Sequence, residues 1–100
     1  MKKTTDAIQI LMKDLGKRPG FQKALEEERV NLQAAHAIRE ARHKAGLSQM
    51  ALARKVGTTQ AVISRLEDAD YTGHTLKLLE RIALACKRHV RLEFEPVGSR

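Results

Sequence analysis

The sequence predicts an all-α protein that ends in one short β-strand. Apolar residues recur three and four positions apart through most of the chain, which is the period of a helix. Aromatic residues make up only 3% of the sequence, and this disfavours a sandwich or barrel built from many strands. Residues 90–95 alone alternate apolar with charged side chains, as a strand does. With 100 residues, the chain is the size of a single domain.

The first 45 residues are predicted to form two helices separated by a breaker cluster. Thr5 or Asp6 can cap the first helix, whose apolar residues keep helical spacing. These residues are Ala7, Ile8, Leu11, Met12 and Leu15. The cluster at residues 16–20 contains two glycines and a proline, which interrupt a helix. Good helix formers then dominate as far as Gly46, and Asn31 is the best candidate for a break or a new cap.

Two short helices follow, joined by a turn that contains Gly57. Ser48 is suited to cap a helix over residues 49–56, and Thr58 or Thr59 can cap another that runs to about residue 67. Glycine adopts the positive φ of such a turn without strain. The small Ala53 lets the two helices approach each other. This arrangement is the outline of a helix-turn-helix.

A loop over residues 68–73 leads to a last helix, predicted from about residue 74 to residue 87. One apolar stripe of that helix consists of Leu76, Leu79, Ile82, Ala83 and Cys86. The strand then follows and ends at Pro96. A lone strand cannot satisfy its backbone groups. We therefore expect Val90, Leu92 and Phe94 to form a dimer interface with the same strand of a second subunit, or else to pair with the sheet edge of another protein.

The charge balance favours a polyanionic partner. Nineteen Lys and Arg residues against twelve acidic ones give a net charge of +7, and nucleic acid is the first candidate. The low aromatic content argues against single-strand binding, which stacks bases on aromatic rings. The amino terminus has neither the apolar stretch nor the cleavage site of a signal peptide, so we expect a cytoplasmic protein associated with the nucleoid.

The second helix of the predicted pair carries side chains suited to the major groove. If Ile63 and Leu66 are buried, helical spacing exposes one strip on the opposite face. The strip consists of Gln60, Ala61, Ser64 and Arg65. Within it, glutamine can read adenine, arginine can read guanine, and an alanine methyl can touch thymine. Side chains at the helix N-termini, with nearby Arg54 or Lys55, are suited to phosphate. The predicted DNA contacts are Gln49, Arg54, Thr58, Thr59, Gln60, Ala61, Ser64 and Arg65.

This segment resembles the Cro/cI-type (XRE, lambda-repressor-like) family of phage repressors. The resemblance covers residues 49–67, QMALARKVGTTQAVISRLE, and matches the pattern Q-x-x-x-A-x-x-x-G-x-x-x-x-x-I-S-x-L-E throughout. It implies five helices across residues 31–87 and a dimer on a two-fold operator. It also implies that residues at or near the DNA are Gln49, Thr59, Gln60, Ala61 and Arg65. The sequence departs from the family at Ala61, where some relatives place a polar base-reading side chain.

The flanking segments are similar to HigA-type antitoxins. Residues 39–42 and 46–49, with 82–86 and the strand, carry this second resemblance. It implies a RelE/HigB-like ribonuclease toxin, which the protein neutralises while repressing their shared promoter. The expected organisation is a helical extension over residues 1–30, a DNA-binding domain over 31–88, and a strand and tail over 89–100. The extension either contacts toxin or packs on the domain, and we favour the toxin contact. Two alternatives are a stand-alone regulator without a toxin and a protein-interaction module that has lost DNA binding.

The remaining chemistry-bearing residues predict neither an enzyme nor a cofactor or metal site. No histidine or cysteine lies beside an activating acid, and one cysteine cannot build a disulfide or a multi-cysteine zinc site. We expect Cys86 to be a small buried hydrophobe and the four histidines to lie on the surface. These are His36, His43, His74 and His89. Glu26–Glu28 form either a contact for a basic partner or a solvated helix face.

Overall fold

The computed structural model describes residues 20–97, and this part of the chain is all-helical. Its helices are α1 (Phe21–Lys44), α2 (Gln49–Val56), α3 (Gln60–Leu66) and α4 (Leu76–Ala85). The helix predicted within residues 1–15 lies outside the described residues, as does nearly all of the breaker cluster. Within residues 20–97, every helix is either too short or too polar to span a membrane.

The long helix α1 has no break at Asn31, where one was expected. The residues around that position are good helix formers, and an asparagine in a helix costs only about 0.5 kcal/mol relative to them. Residues 31–87 therefore contain four helices rather than the five that the family resemblance implies. The helix ends as predicted at Gly46, whose φ of 70° is left-handed.

Local capping fixes the helix-turn-helix. The hydroxyl oxygen of Ser48 accepts a hydrogen bond of 3.0 Å from the Ala51 amide, which confirms the predicted start of α2. Gly57 closes that helix with a φ of 85°. Thr59, rather than Thr58, caps α3, because its hydroxyl accepts from the Val62 amide at 3.3 Å. Both helices thus have the bounds that the sequence predicts.

The core lies where α2 and α3 pack together under α1 and α4. Its buried side chains are Ile38, Leu52, Ala53, Val56, Ile63, Leu66, Ile82 and Cys86. Burial raises the pKa of the Cys86 thiol, so the cysteine is the inert hydrophobe that was expected.

The last helix is shorter than predicted and its buried stripe begins later. Thr75 caps it by accepting from the Leu78 amide at 3.1 Å, and Lys87 ends it in a left-handed conformation with a φ of 61°. Leu76, expected on the stripe, is half exposed. Packing against the core starts two residues later, at Leu78 and Leu79, because α4 meets the core only beyond its first two residues.

The C-terminal segment, defined here as residues 88–97, forms neither helix nor strand. The described residues contain no strand with which it can pair, so the predicted strand is not confirmed by the single chain. The segment runs back along α1. Its first residues lie beside the middle of that helix, and Glu95 and Val97 lie near Glu26 and Arg29.

Candidate nucleic-acid interface

The outer face of α3 is the one that the sequence predicts. Ile63 and Leu66 are 0% and 1% exposed, and they anchor the helix on the core. Consequently the four side chains of the predicted strip are all exposed: Gln60, Ala61, Ser64 and Arg65. The Arg65 side chain makes no hydrogen bond or ion pair with any residue between 20 and 97, so its guanidinium donors are available to a ligand.

A chain of hydrogen bonds runs from Gln60 into the protein interior. The Gln60 amide nitrogen donates to Gln49 Oε1 at 2.9 Å, and the Gln49 amide nitrogen donates to Glu67 Oε1 at 3.1 Å. A carboxylate only accepts, so it sets the direction of both bonds. Among residues 20–97, nothing bonds to the Oε1 of Gln60 or to its second amide hydrogen. An outward-facing glutamine is therefore held in one orientation with a donor and an acceptor still available.

Glu67 anchors this network through a buried ion pair with Arg42. Arg42 Nε and Nη2 lie 2.6 Å and 3.1 Å from the two carboxylate oxygens, a bidentate geometry. The Glu67 side chain is only 1% exposed, and Arg39 adds a second positive charge at 3.8 Å. Burial by itself raises the pKa of the Glu67 carboxyl, but the hydrogen bonds from Arg42 and Gln49 and the two arginine charges hold it below its ordinary value.

Sequence reasoning gave no role to Arg42 or Glu67. One signal was available, because Glu67 follows Ile63 by four residues and therefore shares its buried helix face. A charged residue in such a position requires a partner. The partner itself lies 25 positions away on α1, and nothing in the local pattern identifies it.

The residues expected to contact phosphate occupy different environments. Gln49 is half-buried between Gln60 and Glu67 and acts inside the protein as a positioning residue. Thr59 is exposed, and its oxygen caps α3. Thr58 is half-buried, and its amide donates to the Ala53 carbonyl at 2.8 Å. Arg54 is exposed on α2. Arg54, Thr58 and Thr59 lie in or near the turn, whereas Gln49 begins α2 at its other end. Their contacts with phosphate stay predictions.

The turn between α2 and α3 is also held from α4. The Arg81 guanidinium donates a hydrogen bond to the carbonyl of Val56, the last residue of α2. That carbonyl is one of those left without a helical partner at the end of α2. A charged donor from a distant helix therefore fixes the end of α2 next to Gly57.

The histidines are dispersed, and one of them is not at the surface. His74 is half-buried, with Nε2 2.7 Å from the Leu66 carbonyl oxygen and its ring edge-on to Tyr71 at 5.0 Å. The expectation of a surface residue is wrong for His74, because its ring covers the end of α3. Across residues 20–97, no three His, Cys, Asp or Glu side chains come together as metal ligands would.

The residues expected at a dimer interface lie along another face of the molecule. Val90 is partly buried beside α1, whereas Leu92 and Phe94 are 67% and 97% exposed. Val90 lies beside Ala34, Ala37 and Ala41, on a face of α1 different from the one that presents Arg39 and Arg42 to Glu67.

Comparison with known proteins places this geometry in a family. A family model described as a helix-turn-helix domain matches residues 33–92, which is more than half of the chain and includes α2, α3 and α4. Neither a search of curated proteins nor a search of solved structures found a significant match. The match supports a DNA-binding function. Domains of this family are typically non-enzymatic. The chain belongs to the helix-turn-helix domain family, in a Cro/cI-like form.

Proposed function

We propose that the protein is a sequence-specific transcriptional repressor that binds double-stranded operator DNA as a homodimer in the cytoplasm. The observation that carries this proposal is the outer face of α3. There Arg65 has no partner among residues 20–97, and Gln60 is oriented by hydrogen bonds that lead to a buried ion pair. A preoriented glutamine loses little side-chain entropy on binding.

Each α3 enters the major groove of one half-site. Arg65 donates two hydrogen bonds to a guanine, and Gln60 offers its free oxygen and amide hydrogen to an adenine. Ala61 presents a methyl group to thymine, and Ser64 adds a hydroxyl. Half-sites are spaced by about one helical turn of DNA, roughly 34 Å, or a multiple of it.

Contacts with the sugar–phosphate backbone set the position of α3 without reading sequence. Arg54 and the hydroxyls of Thr58 and Thr59 lie in or near the turn that leads into α3, and we expect them to make these contacts. The dimer bound across the promoter excludes RNA polymerase, which is the source of repression.

A mobility-shift titration tests this proposal. The intergenic DNA upstream of the gene is compared with a shuffled duplex of equal length at several stated salt concentrations. We expect the intergenic DNA to bind at least about 1,000-fold more tightly at physiological salt, with affinity for both duplexes falling as salt rises. Equal affinity for the two duplexes contradicts sequence-specific repression, and no binding to either identifies a protein-interaction module.

We further propose that the protein is the antitoxin of a type II toxin–antitoxin module and neutralises a RelE/HigB-like ribonuclease toxin. The first half of α1 supports this proposal, since it lies mostly outside the family match. It exposes apolar side chains, Leu25, Val30 and Leu32, beside the exposed acidic residues Glu26–Glu28. A mixed apolar and acidic surface complements a basic toxin.

Co-expression with the neighbouring gene tests the antitoxin proposal. We expect that frame to encode a small basic protein whose toxicity the full chain suppresses. A chain lacking residues 1–30 is expected to bind operator DNA normally but to lose the suppression. Full suppression by the truncated chain places the toxin contact elsewhere. A neighbour without any toxicity identifies a stand-alone regulator.

A further inference from the structure

A basic pocket lies where the carboxyl-terminal ends of α1 and α4 meet the last turn of α2. It has a volume of about 430 Å³, which is within the range of small-molecule sites. Among residues 20–97, no acidic side chain and no residue of α3 lines it. Its charged walls are Lys44, Lys55, Lys87 and Arg88.

We propose that the basic pocket binds a compact polyphosphate anion, of the class of inorganic tripolyphosphate. Ammonium and guanidinium groups supply the charge-assisted hydrogen bonds that phosphate oxygens accept. This ligand is distinct from the operator DNA of the proposed function. Its site contains none of the strip residues on α3, so a single chain has room for both.

The cations of the basic pocket are available to a ligand. The side chains of Lys55, Lys87 and Arg88 are exposed, and they make no hydrogen bond or ion pair with any residue between 20 and 97. Lys44 Nζ lies 3.5 Å from Glu40 Oε1, in a pair whose two side chains are each more than half exposed. Such a pair is weak, so it does not hold Lys44 away from an incoming anion.

The negative ends of the helix dipoles do not neutralise these cations. Each helix carries about half a negative charge at its carboxyl end, so α1, α2 and α4 together offer about one and a half charges. The four cations exceed that amount even when Glu40 is counted against Lys44. Positive charges confined together repel one another, and a bound anion removes this repulsion. The surplus therefore favours an anion of several charges over a monovalent one.

Lys87 has a backbone conformation that favours glycine. Its φ is 61°, and within residues 20–97 it is the one non-glycine residue with a positive φ. It directly follows Cys86, the C-cap of α4, at a position where helices commonly place glycine. Lysine is strained in this conformation, whereas glycine is not. Such strain clusters at functional sites, and here it accompanies a positive charge at the wall of the basic pocket.

The uncharged walls of the basic pocket favour a phosphate chain without a nucleobase. They consist of Ala45, Leu47, Ala85 and Cys86. None of these residues has an aromatic ring on which a base could stack. A thiol is also only a weak hydrogen-bond donor, so a base would gain little from Cys86. The specific contacts available are therefore those that the cations make with phosphate.

Titration calorimetry of the full chain with sodium tripolyphosphate, at physiological ionic strength, tests the site. We expect saturable binding, with amide NMR shifts centred on residues 44–47 and 85–88. ATP should bind no more tightly than tripolyphosphate. Sulfate should bind at least about tenfold more weakly, because it accepts fewer charge-assisted hydrogen bonds. The absence of saturable binding, shifts centred on α3, equal affinity for sulfate, or tighter binding of ATP overturns the proposal.

Lys87→Gly separates the loss of charge from any loss of folding. Glycine relieves the strained backbone, so we expect thermal stability to be unchanged or higher. The dissociation constant for tripolyphosphate should nevertheless rise about tenfold. Lys77→Gln, which neutralises an exposed lysine at the other end of α4, is the matched control and should bind as tightly as the unsubstituted chain. If Lys87→Gly binds tripolyphosphate as tightly as this control, the assignment of the site is wrong.

Operator binding by the same variants distinguishes a free anion from the DNA backbone. We expect Lys87→Gly and Lys77→Gln to have equal affinity for operator DNA. A parallel loss of operator and tripolyphosphate affinity in Lys87→Gly would assign the basic pocket to the DNA backbone and refute the proposal. A chain that binds tripolyphosphate in the basic pocket but binds no operator refutes the proposed function and supports this inference.

Discussion

The helix-turn-helix, residues 48–67, and the C-terminal segment differ in whether the same chain bonds their backbone and buries their apolar side chains. In the first, Ser48 and Thr59 cap the helices, and Ile63 and Leu66 are buried by the same chain. In the second, the backbone is unpaired by any strand within residues 20–97, and Phe94 is almost fully exposed. The first region is complete in one chain. The second has the properties of a surface that another chain covers.

The two regions also differ in how their charges are used. The Arg42–Glu67 pair is buried and hydrogen-bonded to the side chain that orients Gln60. The Arg91–Glu93 pair is open to solvent. Removing one partner of a buried ion pair strongly destabilises the folded protein, whereas an exposed ion pair contributes little to stability. Substitutions in the two regions should therefore affect different measurements.

The largest effect is expected at Arg42. Arg42→Met leaves the Glu67 carboxylate buried without its partner, and we expect the free energy of unfolding to fall by about 3–5 kcal/mol. Urea unfolding measures this. Arg29→Met, which breaks the exposed pair with Glu26, is the control and should lose less than about 1 kcal/mol. Similar losses in the two variants would mean that Glu67 is not an anchor.

The next effect is expected in the C-terminal segment and on assembly alone. Leu92→Lys adds a positive charge next to Arg91 in each copy at the expected dimer interface, and we expect the dimer dissociation constant to rise about 100-fold. Sedimentation measures the dissociation constant, and thermal unfolding of the monomer should be unchanged. A Leu92→Lys dimer as tight as that of the unsubstituted protein would contradict the proposed interface. Val97→Lys, at another exposed apolar position of the segment, is the control.

A smaller effect is expected for base reading. Arg65→Ala should weaken binding to the operator by about 1–3 kcal/mol and relax selectivity at one base pair. Binding to a shuffled duplex should change much less, because phosphate contacts are retained. Arg29→Ala serves as a control for the loss of one positive charge. If operator and shuffled duplex lose affinity equally, Arg65 contacts phosphate rather than a base.

The two adjacent threonines provide a test of capping. Thr59→Ala removes the hydroxyl that accepts from the Val62 amide, and we expect a loss of about 1 kcal/mol of stability. Thr58→Ala removes a hydroxyl with no capping role and should change stability less. The difference between their urea midpoints measures the cap. A larger loss for Thr58→Ala would contradict the assignment.

The smallest effect expected is the pH dependence of the Glu67 network. The pKa of Glu67 is lower in the folded protein than its ordinary value, so the unfolded chain binds the proton more readily. The ionised Glu67 carboxylate makes its full contribution to stability above the pKa of the unfolded chain, about 4.3. That contribution is lost as the pH falls through the pKa of the folded protein. Urea unfolding between pH 6 and pH 3 measures this loss. Glu67→Gln should flatten the profile, and an identical profile would assign the acid sensitivity to other carboxyl groups.

The sequence by itself determined α2, the turn, α3 and the outward face of α3. Cap residues, a glycine with positive φ and three-to-four spacing all act within one or two helical turns, so Ser48, Gly57 and Ile63 identify these features locally. The same kind of signal was insufficient at Asn31 and Leu76. At Asn31, helix-forming neighbours outweighed the low helix propensity of one residue. At Leu76, burial was decided by where α4 meets the core.

Only the tertiary structure decided which distant groups meet. The approach of α1 to α3 pairs Arg42 with Glu67, and the angle between α2 and α3 brings Gln49 to Gln60. The path of the C-terminal segment along α1 likewise creates a groove lined by Val90. The groove brings together residues as distant along the chain as Ala34 and Val90, where spacing carries no information. Their geometry follows from how the helices pack, because packing fixes the positions of buried side chains together.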